Sequence, residues 1–495
     1  MKNLIFTYLL LFLLLVTLQL KAGNFPLYFS DNGLRVDLYH SGDARNEFYT
    51  VDRCLQTPFW AGNPNHMLDE NGYGKYQVCL FDVASNRLIF SRSFNSYFGE
   101  YQTTDPAIQG VTRTYQESLL LPAPKSKFRM QILKRDSLNI YFPIFTTTID
   151  PADITILKQN TCSPEVKEIH GSGEYADRAD ILFISEGYTE EQKADFWEDA
   201  QKMADKLLSI EPYASLKSKL NIRAAFLPSP ESGTDEPRKG QFRLTNLESS
   251  FNALGLERYL LTEQYHRLAD VCSAVPCDAP VILVNSQRYG GGGIYNYYAI
   301  TTADHPLSPM VFLHEFGHSF AGLADEYYNS EVAYNDFYPK GIEPVEPNIT
   351  RLLNPQWVKW QKLLSPDVMV PTDWGKQIYD ELGAKISKLH AEMREQVKKL
   401  EAKGKSAEKI EAVRQKYRKK LQKVYQQRKE FIQDHELKDK VGVFEGAGYV
   451  SEGIYRPMLS CIMFSNDRGE FCKVCQDAIR RTIEQYSEGE QGRSE

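Results

Sequence analysis

His314, Glu315 and His318 open the run HEFGHSFAGLADEYY, which extends to Tyr328. Two histidines four residues apart project from one face of a helix, stacked by one turn, so both imidazoles can grip a single metal ion. Glu315 sits beside the first histidine, placed to reach a water on that ion. Zinc lowers the pKa of such a water toward neutrality, and a glutamate can take its proton and later hand it to a leaving amine. An HExxH arising by chance is expected in roughly one chain in a hundred of this length. The apolar SPMVFL just ahead suits the buried start of a helix, as a zinc site in a core requires. Histidines packed in a core without metal are the alternative.

Two histidines do not complete a catalytic zinc site. In sites of the metzincin type the helix ends on a glycine and the chain turns back, bringing a third ligand six residues after the second histidine. Here Gly322 follows His318 by four residues rather than three, and the sixth residue is Ala324, which cannot bind metal. Asp325, seven residues after His318, can reach the ion if one extra residue widens the turn. Glu326 is the competitor, either as the ligand or as a group that orients a histidine. Adjacent side chains cannot both point at the ion, and Asp325 is the favoured ligand. Farther on, LSCIMFS (459–465) resembles a Met-turn, which would set Met463 beneath the ligands; an ordinary core methionine is the alternative.

Together with ILFISEGYT (181–189), GGGGIYNYYA (290–299), VFEGAGYVSEGIYRP (443–457) and FCKVCQDAI (471–479), these residues resemble the IgA-peptidase family of secreted zinc metallopeptidases. The resemblance implies a peptidase with a metzincin-like site, zinc as cofactor, and His314, Glu315 and His318 in the roles above. The family name does not fix this chain's substrate. Some metzincins carry a tyrosine two residues after the Met-turn methionine, where it steadies the oxyanion. Ser465 holds that position here, leaving Tyr449 or Tyr455 as candidate oxyanion stabilisers.

The elements that must position these residues follow from pattern. Residues 24–158 carry seven short β-branched and aromatic segments, from LRVDLYH to IYFPIFTTT, separated by turn residues; they predict an antiparallel β-sandwich. Residues 159–178 read as a linker. From 179 the strand ADILFISEGYT, a helix capped by Thr189, and the strands LNIRAAFLPS and APVILVNS predict an α/β layer. Four successive glycines, 290–293, suit a mobile loop or a backbone that another chain approaches closely, with IYNYYAITTA as the strand that follows. An edge strand there could pair with extended substrate.

Residues 376–440 show apolar steps of three and four (Ile386, Leu389, Met393, Leu400; Ile410, Val413, Tyr417, Val424, Phe431) and a net charge of about +8. They predict a helical hairpin inserted into a zincin-like, metzincin-type catalytic domain spanning 179–375 and 441–487. The overall class is thus α+β and multidomain.

Length (495 residues) admits two or three domains, and the net charge of −7 argues against nucleic acid as a partner. The N-terminal MKNLIFTYLLLFLLLVTLQLKAG reads as a signal peptide over 1–22, with a membrane anchor as the alternative; no later stretch is long and apolar enough to span a bilayer. Export gives the eight cysteines meaning. Cys272 with Cys277, and Cys461 with Cys472 or Cys475, could form disulfides. FCKVC could be half of a structural zinc site or a redox motif, but no second CxxC completes a four-cysteine cage.

The reading that follows is an exported zinc endopeptidase, periplasmic or extracellular, acting on extracellular protein or glycoprotein. The alternatives are a glycan- or protein-binding adhesion protein on a peptidase scaffold, and a zinc amidase acting on cell-wall peptides.

Overall fold

The computed structural model describes residues 25–158, 162–328, 338–465 and 469–487; the expected signal segment 1–22 lies outside them. The backbone groups into two compact units. Of the described residues, one comprises 25–158, 162–323, 338–347 and 476–487, the other 324–328, 348–465 and 469–475. The chain is mixed α and β with several sheets.

In the first unit, seven strands form two antiparallel sheets. These are β1 (Phe29–Gly42), β2 (Glu47–Thr57), β3 (Tyr76–Asp82), β4 (Leu88–Phe94), β5 (Arg113–Pro124), β6 (Phe128–Arg135) and β7 (Tyr141–Ile149). The orders are β2-β1-β5 and β4-β3-β6-β7. Period-2 patterning explains the pairing. In β6, Phe128, Met130 and Ile132 alternate inward, and they share one apolar core with Val36 and Leu38 of β1 and Val78 and Leu80 of β3. Acidic side chains inside this region are tied up structurally. His40 bonds Glu117 at 2.7 Å and Glu47 at 3.0 Å, and Lys134 also contacts Glu47. Burial would raise the Glu47 carboxyl, but His40 and Lys134 outweigh it and set the pKa at about 2.

A six-stranded sheet follows, ordered β12-β13-β11-β9-β10-β8. Its strands are β8 (Glu165–His170), β9 (Ala179–Glu186), β10 (Leu220–Phe226), β11 (Ala279–Val284), β12 (Gly291–Ile294) and β13 (Tyr298–Thr302). The central strands run parallel, while β8 and β12 pair antiparallel at the edges. All eight residues of β9 are buried, as a parallel strand covered on both faces demands. Strand β8 lies within the stretch expected to be a linker. Thr189 and Gln192 form a capping box ahead of α1 (Lys193–Leu208). Helix α2 (Tyr265–Ala274) is tied to β1 by the buried Arg35, which bonds Asp270 at 2.5 Å and the His266 carbonyl at 2.8 Å.

The glycine run differs from its sequence reading. Gly291–Ile294 is itself the edge strand β12, and the turn 295–297 leads into β13. Its glycines are needed for close packing. A Cβ on Gly293 would lie 2.2 Å from the Glu315 carbonyl oxygen, and one on Gly291 would lie 3.1 Å from Glu315 Cγ. Backbone cannot yield as a flexible side chain would, so Gly293→Ala must push β12 away from the helix that carries Glu315. The expected result is a loss of about 1–3 kcal/mol in stability from overpacking. Peptide turnover should fall by as much as about 100-fold, since small displacements of a catalytic group are costly. Thermal melting and a peptide-turnover assay check both; wild-type values in each would refute the need for this approach.

In the second unit, α4 (Lys376–Ala402) and α5 (Ala407–Gln433) pair along a seam that includes Tyr379, Leu382, Ile386, Tyr417 and Leu421. Gly404, at φ +59°, turns the chain between them. Strands β14 (Phe444–Ala447) and β15 (Val450–Arg456) form an antiparallel hairpin. No helix among the described residues is long and apolar enough to cross a membrane.

Candidate metal centre

Helix α3 (Ser308–Ala321) carries the HEFGH run. Phe312, Phe316 and Phe320 recur every four residues on its buried face. Phe312 meets Phe183 of β9 at 5.4 Å between ring centroids, and Phe316 stacks on Phe320 at 5.0 Å. His314 and His318 keep the same spacing two residues on, about 200° around the axis, and so leave the core face. Both are half-buried, as is Glu315. Helix α3 ends at Ala321, and Gly322 takes the left-handed conformation at φ +60°. The reversal lets Leu323 N–H bond the Gly317 carbonyl at 3.2 Å.

That turn also orients a histidine. His318 Nδ1 lies 2.6 Å from the Leu323 carbonyl oxygen, so Nδ1 carries the proton and Nε2 keeps its lone pair. His318 Nε2 then lies 3.2 Å from His314 Nε2. Two nitrogens bound to one tetrahedral ion at about 2.0–2.1 Å would stand about 3.3 Å apart. Two imidazoles at this spacing fit a divalent ion, and Asp325, the expected carboxylate ligand, follows His318 by seven residues. Near Glu315, burial and then the Glu315 charge raise the Tyr289 phenol above its ordinary value, which keeps it protonated.

Asp325 and Glu326 are both buried, and they diverge. Asp325 Oδ2 accepts a hydrogen bond from the Tyr449 hydroxyl. The Glu326 carboxylate accepts from Asn348 Nδ2 at 3.0 Å and lies 3.2 Å from Cys475 Sγ. Burial, and then the Cys461 sulfur, push the Glu326 carboxyl well above the usual carboxylate range. The two residues are fixed by backbone as well. Asn348 bonds both the N–H and the carbonyl of Ala324, and Glu326 N–H donates to the Met463 carbonyl at 2.8 Å. The fully buried Met463 therefore lies in a turn hydrogen-bonded directly to the residue after Asp325.

The FEGAGY segment adds a second brace. Gly448 N–H bonds the Asp325 carbonyl and Tyr449 N–H bonds the Tyr327 carbonyl, both at 3.0 Å. Gly446, at φ +100°, lets the chain pass Tyr328, where a Cβ would come within 2.5 Å of the ring. Tyr449 itself sits at φ +67°, an outlying conformation for a bulky residue, and so is held there by its surroundings. Tyr455 lies on β15 and pairs through its backbone with Thr350, two residues beyond Asn348.

Among the described residues, two further groups could hold a metal ion by proximity. Asp37, Asp52 and His266 form one, but Arg35, Arg53 and Ser118 already hold the Asp37 carboxylate. Glu326, Cys461, Cys472 and Cys475 form the other. None of the eight cysteines is in a disulfide, so neither Cys272 with Cys277 nor Cys461 with its neighbours is bridged. Sequence reasoning missed Asn348, since an isolated asparagine carries no periodic signal. It also sought a second CxxC for FCKVC, where a lone cysteine and a glutamate are what stand beside it.

Two family models match the chain. The one described as IgA Peptidase M64 matches residues 167–483, and the one described as Peptidase M64 N-terminus matches residues 24–146. No curated protein matches it.

Proposed function

The chain belongs to the IgA peptidase M64 family and is a peptidase, and from that premise we propose that it is an exported zinc endopeptidase acting on extracellular protein or glycoprotein. The observation that carries this reading is the pair of Nε2 atoms 3.2 Å apart, with His318 held by the Leu323 carbonyl. In this proposal His314, His318 and Asp325 hold the ion, and Asp325 rather than Glu326 is the carboxylate ligand because Glu326 is engaged by Asn348 and faces sulfur. A zinc ion bound there would polarise the scissile carbonyl and acidify a water.

The remaining steps belong to the chain. Glu315 takes the water's proton and returns it to the leaving amine. Met463 packs under the ligands, and its turn fixes the backbone of Glu326. Strand β12 lies against α3; Leu260 N–H takes the Gly291 carbonyl, and the edge beyond Gly291 is where extended substrate can pair through its backbone. Tyr449, held beside Asp325, can turn its hydroxyl toward the developing oxyanion. Tyr449→Phe should then lower kcat by about 100-fold, as loss of an oxyanion donor does, with little change in KM. Tyr455→Phe should do less, because Tyr455 is held in place through its backbone. Unchanged kcat in both variants would remove the tyrosines from the mechanism.

Incubating the purified protein with a mixture of native proteins and with cell-wall fragments, followed by mass spectrometry, tests the substrate class. Chelator-sensitive cleavage of proteins is expected. Cleavage of wall peptides alone would favour the amidase. Cleavage of neither, with metal bound, would favour a binding protein.

A further inference from the structure

We propose that Glu326, Cys461, Cys472 and Cys475 form a second, closed metal site that takes zinc as a structural ion. Cys461 Sγ and Cys475 Sγ lie 3.7 Å apart, Cys475 Sγ is 3.2 Å from Glu326 Oε1, and Cys472 Sγ is 3.8 Å from it. A tetrahedral zinc with Zn–S of about 2.3 Å and Zn–O of about 2.0 Å spaces its ligands about 3.8 Å for S···S and about 3.5 Å for S···O. The four donors already stand near those positions.

The surroundings suit an ion. Cys461, Cys475 and Glu326 are 0% exposed and Cys472 is 3% exposed, which leaves no open position for water or substrate. Backbone N–H groups point at sulfur. Cys472 N–H lies 3.2 Å from Cys461 Sγ, and Cys475 N–H lies 3.4 Å from Cys472 Sγ. Both cysteines of the C-x-x-C pair stand at the start of α6 (Lys473–Ser487), where the helix dipole favours negative charge. The fully buried Arg456 adds positive charge felt by Glu326. Three sulfurs and one oxygen select zinc over calcium or magnesium.

Glu326 is the observation that separates this site from a redox pair. Its Oε1 faces Cys472 and Cys475, and its Oε2 is buried with no hydrogen-bond partner, a costly state for a carboxylate in a dry core that a cation bound at either oxygen would relieve. A disulfide between two of the three cysteines would leave that oxygen unsatisfied and a third thiol stranded beside it. An ion accounts for all four groups. It also gives the adjacent residues Asp325 and Glu326 opposite duties, since the ion would anchor the chain directly behind Asp325.

The test uses the full-length chain and a His314→Ala/His318→Ala variant, which leaves the sulfur site intact. By elemental analysis the double variant should keep about one zinc per chain where the wild type holds two. Replacing its zinc with cobalt should give a thiolate-to-metal charge-transfer band, and Cys475→Ser in the same background should abolish it. If the cysteine variant does not fold, the band in the histidine variant decides. A histidine variant without metal, or a disulfide among Cys461, Cys472 and Cys475 found by peptide mapping, would overturn the site. Failure of the histidine site reads differently: wild type and double variant would then hold the same single ion.

Discussion

Glu315→Gln should lower kcat on a protein substrate by about 1,000-fold, within the range that general acid–base catalysis contributes, while metal content stays at the wild-type level. Glutamine matches glutamate in size, so α3 and its packing against β12 survive the change. Gly293 still fits against the residue 315 carbonyl, and the Phe312–Phe316–Phe320 face is untouched. The amide cannot accept a proton at neutral pH, and the loss is confined to that step. KM should move little, because the substrate's backbone would be held by β12 rather than by residue 315. The combination of normal metal and lost turnover separates a catalytic base from a residue that only supports the fold. It also separates the peptidase reading from the binding-protein reading, in which Glu315 has no task. Turnover by the variant within tenfold of wild type, with melting unchanged, would remove Glu315 as the base.

Legibility in the sequence followed the range of the interaction. Strands such as β3 and β6 write their burial as alternation, and α3 writes its own as phenylalanines every fourth residue; both are readable from near neighbours. The end of α3 was readable too, because Gly322 supplies a left-handed cap that few other residues tolerate. Contacts between distant segments were not. Glycines 290–293 gave no hydrophobic pattern, and their strand exists because β13 and α3 lie on either side of it. Strand β8 is polar, with the four residues 165–168 exposed, and forms only because β10 offers an edge. The pairing of Glu326 with Cys472 and Cys475 spans 146 and 149 residues, and that of Asp325 with Tyr449 spans 124. Neither leaves a local mark beyond the residue types themselves.

Asp325→Ala should strip the histidine-bound ion, weakening its binding beyond the roughly 10–100-fold that groups outside the coordination sphere command, and abolish turnover with it. Alanine keeps the backbone bonds that set this segment. Residue 325 still accepts from Gly448 N–H, and Glu326 N–H still donates to Met463. The change therefore removes a carboxylate and little else. Glu326→Ala is the companion measurement. It should keep the histidine-bound ion, since its carboxylate faces Asn348 and Cys475, but lower the melting temperature, because those buried partners lose their acceptor. Asp325→Asn refines the reading. It retains an oxygen that can accept from Tyr449, so a variant that folds normally yet loses metal would show that negative charge at the ion matters, beyond the hydrogen bond. Elemental analysis of all three, with melting curves, resolves the assignments. Metal retained at the histidines in Asp325→Ala and lost from them in Glu326→Ala would move the ligand by one residue. That outcome would also break the proposed sulfur site, because one carboxylate cannot serve both ions while Asn348 holds it.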